Sequence, residues 1–244
     1  MLVHGGGQGS WIWDEMVAAI RLVASDEVGR VIALDVPGCG AKRERDTSGL
    51  STPEVIAELI AELEAMNVQD SLLVGHSMAG TLLPGMIAAA PGRFARAVYF
   101  TCAAPAQGQT ISQMMGNRRQ GDDEAAVGWP VDPASTTPTE LFRAAFCNDM
   151  DSETSDRFLA RLFQDNWPAA CGDSWAQWEY DAARSIPATY VIALTDRILT
   201  VPWQRRFAER LHAERIRYLD SGHQGMNTCP FSLAEILIAE ARHG

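Results

Sequence analysis

The chain has 244 residues, of which 47% are apolar and 21% charged, the profile of a soluble globular protein with room for one large α/β domain or two small ones. A formal net charge of −11 and an isoelectric point near 4.9 repel phosphate backbones and anionic lipid, which argues against nucleic-acid and membrane-surface partners. No stretch nears the ~20 continuous apolar residues of a membrane span, and "MLVHGGG" has neither a basic region nor an apolar signal segment, so the expected compartment is the cytoplasm.

In chain order, "MLV" reads as a first strand that is short or lacks some of its residues, followed by the glycine-rich loop "HGGGQGSW" at 4–11. "RVIALDVPG" at 30–38 reads as a second strand. "STPEVIAELIAELEAM" at 51–66 opens with a Ser/Thr cap and an early proline, then repeats apolar residues at helical spacing. "SLLVG" at 71–75 and "RAVYFT" at 96–101 are further strands, with Pro84 and Gly85 interrupting the helix between them, where a kink or shortened first turn is expected. Strands return at 188–196 ("ATYVIALTD") and 215–223 ("RIRYLDSGH"), alternating with the amphipathic helices "PWQRRFAERLHAE" and "SLAEILIAEARH". Continuous apolar runs between amphipathic segments imply an α/β fold built on a mostly parallel, doubly wound sheet.

The alternation breaks between about Ala103 and Ser185. Gly, Pro, Ser, Thr and charge dominate until "ELFRAAFCNDMDSETSDRFLARLF" turns helical again. Met114, Met115, Trp129, Trp167, Trp175 and Trp178 give this stretch more apolar mass than a disordered linker carries. It reads as a helical cap (lid) insertion, 103–185, over a core made of 1–102 and 186–244, because insertions at the carboxyl ends of such strands lie where ligands bind. The cysteines Cys39, Cys102, Cys147, Cys171 and Cys229 are odd in number, dispersed and without a C-x-x-C pair, so they read as packing thiols, with no disulfide framework and no metal site. Lys42, Arg43, Arg45, Arg118 and Arg119 read as solvated loop charges.

"LLVGHSMAG" at 72–80 places a serine between small residues directly after an apolar run, the pattern of a nucleophile elbow. A serine hydroxyl needs a base to take its proton and a third group to orient that base. Of five histidines, His212 lies in a charged helix and His243 beside the C-terminus, while His4 and His76 sit in motif loops where they brace backbone. His223, in "LDSGHQGM" after the last strand, is left as the base for Ser77. Asp196, ending "YVIALTD", is the orienting acid; the rival place at the end of "AVYFT" offers no carboxylate. Two backbone N–H groups should meet the developing oxyanion, one from Met78 and one from Gly6. The glycine loop lacks both the lysine of a P-loop and G-x-G-x-x-G spacing, so no nucleotide cofactor is implied.

Together "LVHGGGQGSWIWDEM", "ALDVPGCG", "VGHSMAG", "LTDRILTVP" and "SGHQGM" resemble the α/β-hydrolase superfamily, in the branch of plant methyl esterases, hydroxynitrile lyases and bacterial carboxylesterases such as pyrethroid hydrolases. The resemblance implies an α/β-hydrolase fold, a Ser77–His223–Asp196 triad, an oxyanion hole from Gly6 and Met78, no cofactor, and hydrolysis of small, largely apolar esters through an acyl-enzyme. Ala79 stands where the elbow usually has its final glycine. Lyases of this branch carry a threonine and a lysine where this chain has Gly5 and Gln224, which disfavours a hydroxynitrile lyase. Gln224 is carried forward as a substrate contact, and Trp129 either walls an apolar pocket or belongs to the core of the cap. A small-molecule receptor that keeps the triad, and an acyltransferase, stay open as alternatives, as does a homodimer.

Overall fold

A computed structural model describes residues 1–24, 28–172 and 180–242. Trp175, Trp178 and His243 lie outside the described residues. Six strands, β1 (Leu2–Val3), β2 (Ala33–Leu34), β3 (Ser71–His76), β4 (Phe94–Phe100), β5 (Ala188–Ala193) and β6 (Arg215–Leu219), form one sheet in the order β2-β1-β3-β4-β5-β6. Every pairing is parallel. Ala97, Val98, Tyr99 and Phe100 along β4, and Tyr190 to Ala193 along β5, are all buried. Successive strand residues point to opposite faces, so both faces of the sheet are covered, and the strands read as unbroken apolar runs for that reason.

Helix α1 (Asp14–Ala24) packs on α9 (Pro230–Ala241), and α2 (Thr52–Ala65) on α3 (Leu83–Ala89). In α2 the Glu54 carboxylate accepts the Ser51 N–H at 2.8 Å, closing the capping box that the sequence suggests. Pro84 sits in the first turn of α3, after a separate 3₁₀ turn over Ser77–Thr81. The expected kink is therefore a clean helix start, since proline at this place lacks only an N–H that would have no partner anyway.

The second strand is much shorter than the run 30–38 suggests. Asp35 turns its carboxylate back to accept the N–H groups of Ser10 (2.6 Å) and Ala41 (2.9 Å), and Pro37 has no N–H to offer a ladder, so the chain leaves the sheet after Leu34.

Between β4 and β5 the chain forms α4 (Ile111–Met115), α5 (Pro138–Phe146) and α6 (Ser152–Arg161). Thr110, Thr137 and Asp151 accept N–H groups of their first turns, and Met114, Phe146 and Phe158 are buried. The order β2-β1-β3 reverses direction between β1 and β3, and such a switch point opens a crevice beyond the carboxyl ends of the two strands. After β5 come α7 (Val201–Arg210) and, after β6, the short α8 (Gly225–Thr228). Among the described residues no helix is long and apolar enough to cross a membrane.

At the other end of the sheet, the carboxylate of fully buried Glu240 on α9 accepts from Thr189 Oγ1 (2.7 Å), Arg215 Nη1 (3.2 Å) and Arg217 Nε (3.1 Å), with Arg96 Nη1 at 3.4 Å. Burial alone would raise its pKa; the Thr189 and Arg217 hydrogen bonds and the two neighbouring arginine charges outweigh it and hold the carboxyl below its ordinary value. A lowered folded-state value stabilises the protein above the ordinary glutamate range, and that contribution is lost as pH falls through the folded value. Glu240→Gln should therefore cost about 2 kcal/mol near neutrality by removing the charge that strengthens the hydrogen bonds from Arg215 and Arg217. The difference from the parent should shrink as urea-unfolding series descend from about pH 7 to about pH 3.

Candidate active site

β1 and β3 are neighbours, so the loop after one lies against the loop after the other. Ser77, the first residue beyond β3, has φ +52°, a left-handed conformation that a non-glycine residue adopts only under constraint. Its carbonyl accepts the Ala103 N–H at 2.9 Å. Gly80 allows this close approach, since a Cβ there would stand 2.2 Å from the Ala103 carbonyl oxygen. On the other side a Cβ on Gly5 would come 2.8 Å from Ser77 Cβ. The threonine of the lyase pattern has no room here, so the glycine loop and the elbow fit each other as a pair.

His223 is fully buried and shares a 2.7 Å hydrogen bond from Nδ1 to Asp196 Oδ2. The carboxylate is saturated: Oδ1 accepts the N–H groups of Ile198 (2.8 Å) and Leu199 (2.9 Å), and Oδ2 also accepts the Thr101 hydroxyl at 2.5 Å. Acceptance at Oδ2 leaves Nδ1 as the donor and Nε2 of a neutral ring with its lone pair, and Nε2 has no hydrogen-bond partner among the described residues. No hydrogen bond therefore joins Nε2 to the Ser77 hydroxyl here; contacts of this kind tighten when substrate is bound.

His76 and His4 are braces. His76 Nε2 donates to the His223 carbonyl at 3.0 Å, its ring 4.7 Å from that of His223. Burial, and then the proximity of His223, hold its ionisation well below the usual imidazole range, so it stays neutral. His4 donates from Nδ1 to the Gly5 carbonyl (2.8 Å) and accepts the Val36 N–H at Nε2 (3.1 Å), which ties the glycine loop to the loop after β2. Burial lowers its ionisation too.

A cavity of about 540 Å³ opens above Ser77, with Gly6 and Met78 in its wall. Gly6 N–H makes no loop hydrogen bond to backbone among the described residues, and Met78 N–H lies in the first turn of the 3₁₀ segment, where donors lack an intrahelical partner. Met114, Met115, Trp129, Phe142 and Phe163 supply apolar walls. Trp129 lines this space and also packs on the core, with Nε1 donating to the Gly116 carbonyl at 3.0 Å. Asp165 reaches the wall, but its carboxylate is engaged by Trp11, Gly40 and Arg43. Gln224 is fully buried and, like His223, is not among the residues that line this cavity. A second cavity, about 400 Å³ at the amino ends of the strands beside Leu72 and Ile238, has no histidine or cysteine in its lining.

Thr101 is the residue that sequence reasoning missed. It ends the run read as a strand, where only a carboxylate was sought, and its hydroxyl reaches both Asp196 and, at 3.5 Å, His223 Nδ1.

A family model described as "Alpha/beta hydrolase family" matches residues 1–236. This chain belongs to the alpha/beta hydrolase family. A chloroplastic protein of Arabidopsis thaliana that bears the name methylesterase 11 is 26% identical over 251 aligned positions, 99% of this chain; the chain spans about 63% of that relative's length. Among solved structures, an extracellular alpha/beta-hydrolase from a Paenibacillus species aligns with TM-score 0.77 at 20% identity over 98% of this chain and 97% of its own. A pyrethroid hydrolase from Sphingobium faniae JZ-2 aligns with TM-score 0.75 at 21% identity over 99% and 96%. Its six-stranded parallel sheet has the fold of those two structures.

Proposed function

We propose that this alpha/beta hydrolase is a serine carboxylic ester hydrolase for small, largely apolar esters. What supports the proposal is the Asp196–His223 pair, which leaves Nε2 as an unspent proton acceptor, together with a left-handed serine in the lining of a largely apolar cavity. Ser77 Oγ attacks the ester carbonyl carbon as its proton passes to His223 Nε2. Asp196 holds Nδ1–H and stabilises the imidazolium so formed. The tetrahedral oxyanion meets the Gly6 and Met78 N–H groups, each worth about 3 kcal/mol in such sites. Collapse expels the alcohol with the proton from Nε2, and water repeats the sequence to release the acid and restore the serine. No metal or cofactor enters any step. The segment 103–185 is read as a cap, since its side chains wall the cavity above Ser77.

The test is rapid-mixing hydrolysis of short-chain p-nitrophenyl esters together with labelling by a serine-directed phosphonate. A burst of one p-nitrophenol per active protein, with the phosphonate on Ser77, is the expected result. Tight ligand binding with no burst would favour the receptor alternative, and label on another residue would remove the mechanism. Added methanol that is converted into methyl ester faster than water is consumed would redirect the proposal to acyl transfer.

A further inference from the structure

The turn between α5 and α6 touches both loops of the acid–base pair. Asp149 Oδ2 accepts the N–H of Gly222 at 2.6 Å and the hydroxyl of Thr228 at 2.8 Å. Asn148 Nδ2 donates to the Thr195 carbonyl at 3.0 Å. Gly222 immediately precedes His223, and Thr195 immediately precedes Asp196. The two loops also meet directly, Thr195 N–H donating to the Ser221 carbonyl at 3.0 Å. The hydrogen bonds therefore close a circuit through Asn148, Thr195, Ser221, Gly222 and Asp149. Two residues before Asn148, Phe146 ends α5 with its ring 5.5 Å from the imidazole of His223. The fit is tight: a Cβ on Gly222 would stand 2.4 Å from Asp149 Oδ1 and 2.9 Å from Asn148 Oδ1.

We infer that Asp149, assisted by Asn148, is a positioning residue for His223: it clamps the loop carrying the base to the loop carrying the acid and fixes the imidazole above the elbow. The inference rests on the esterase reading of the site. An exposed carboxylate with two hydrogen bonds adds little to global stability, about 1 kcal/mol for each. Its leverage is geometric, because all contacts of residues 146–149 named here except that to Thr228 fall on the triad histidine or on a residue within two positions of a triad member. Misplacement of a catalytic group by about 1 Å costs about 100-fold in rate.

Asp149→Ala should lower kcat by about 10- to 100-fold with KM nearly unchanged. It should also broaden the downfield proton NMR signal of the Asp196–His223 Nδ1–H. Asp149→Asn, whose amide oxygen can accept both donors, should restore kcat to within about threefold and sharpen that signal. An Asp149→Ala protein that melts lower yet keeps the parent's kcat per folded molecule and an unaltered Nδ1–H signal would overturn the clamp. Should Asp149→Ala not fold, Asn148→Ala is measured in the same two ways and judged by the same outcomes. A parent protein without esterase activity would defeat the esterase reading alone, and the Nδ1–H signal in the variants would then decide the clamp.

Discussion

Replacement of Ser77 by alanine is expected to lower kcat for a p-nitrophenyl ester by about 10⁴-fold or more while leaving the melting temperature unchanged. The conformation of the elbow is held by backbone: the Ala103 N–H on the Ser77 carbonyl and the packing of Gly5 and Gly80. Alanine inherits the same left-handed φ of +52° and the same cost. Ser77→Gly separates the two roles of the residue. Relief of a left-handed penalty of about 1–2 kcal/mol exceeds the chain entropy that glycine adds, about 0.4–1 kcal/mol. The glycine variant should thus be as inactive as the alanine variant and slightly more stable in urea. Activity retained by either, in protein freed of contaminating esterase, would show that another group attacks.

Asp196→Asn should reduce kcat by about 10⁴-fold, for a reason specific to this carboxylate. Oδ1 is committed to the N–H groups of Ile198 and Leu199. An asparagine must keep its amide oxygen there, which turns its NH₂ toward His223 Nδ1 and Thr101 Oγ1. The imidazole then accepts at Nδ1 and carries its proton on Nε2, so the atom that should take the serine proton is already occupied. Steady-state kinetics with p-nitrophenyl esters, alongside a Tm, measure this directly. A loss of less than about tenfold in a folded variant would mean that the carboxylate does not set the tautomer.

The strands, and the places of Ser77 and Asp196, were legible because each of these two residues sits where an apolar run ends. Ser77 follows β3 and Asp196 lies three residues past β5, as a parallel sheet buried on both faces dictates. The glycine loop was legible for the same reason, since Gly5 must lie within van der Waals reach of the elbow. What escaped the sequence is made by contacts between distant loops. Thr101 and Asp196 are 95 positions apart, and Asp149 and Gly222 are 73 apart; no local period or spacing encodes either meeting. The short β2 misled because β-branched composition speaks for a strand while one aspartate, Asp35, diverts the backbone.

Thr101 carries a wider consequence. β4 and β5 end side by side, with Phe100 opposite Val191, and the first residue past β4 adopts φ +39° to aim its hydroxyl at the spot where the acid sits. That spot is served from two adjacent strand ends, one now contributing charge and the other a proton donor. The negative partner of the imidazole is thus a location and not a fixed rung of the sheet. A paired exchange at 101 and 196 offers an evolutionary route by which the charge migrates to the neighbouring strand while nucleophile and base stay where they are.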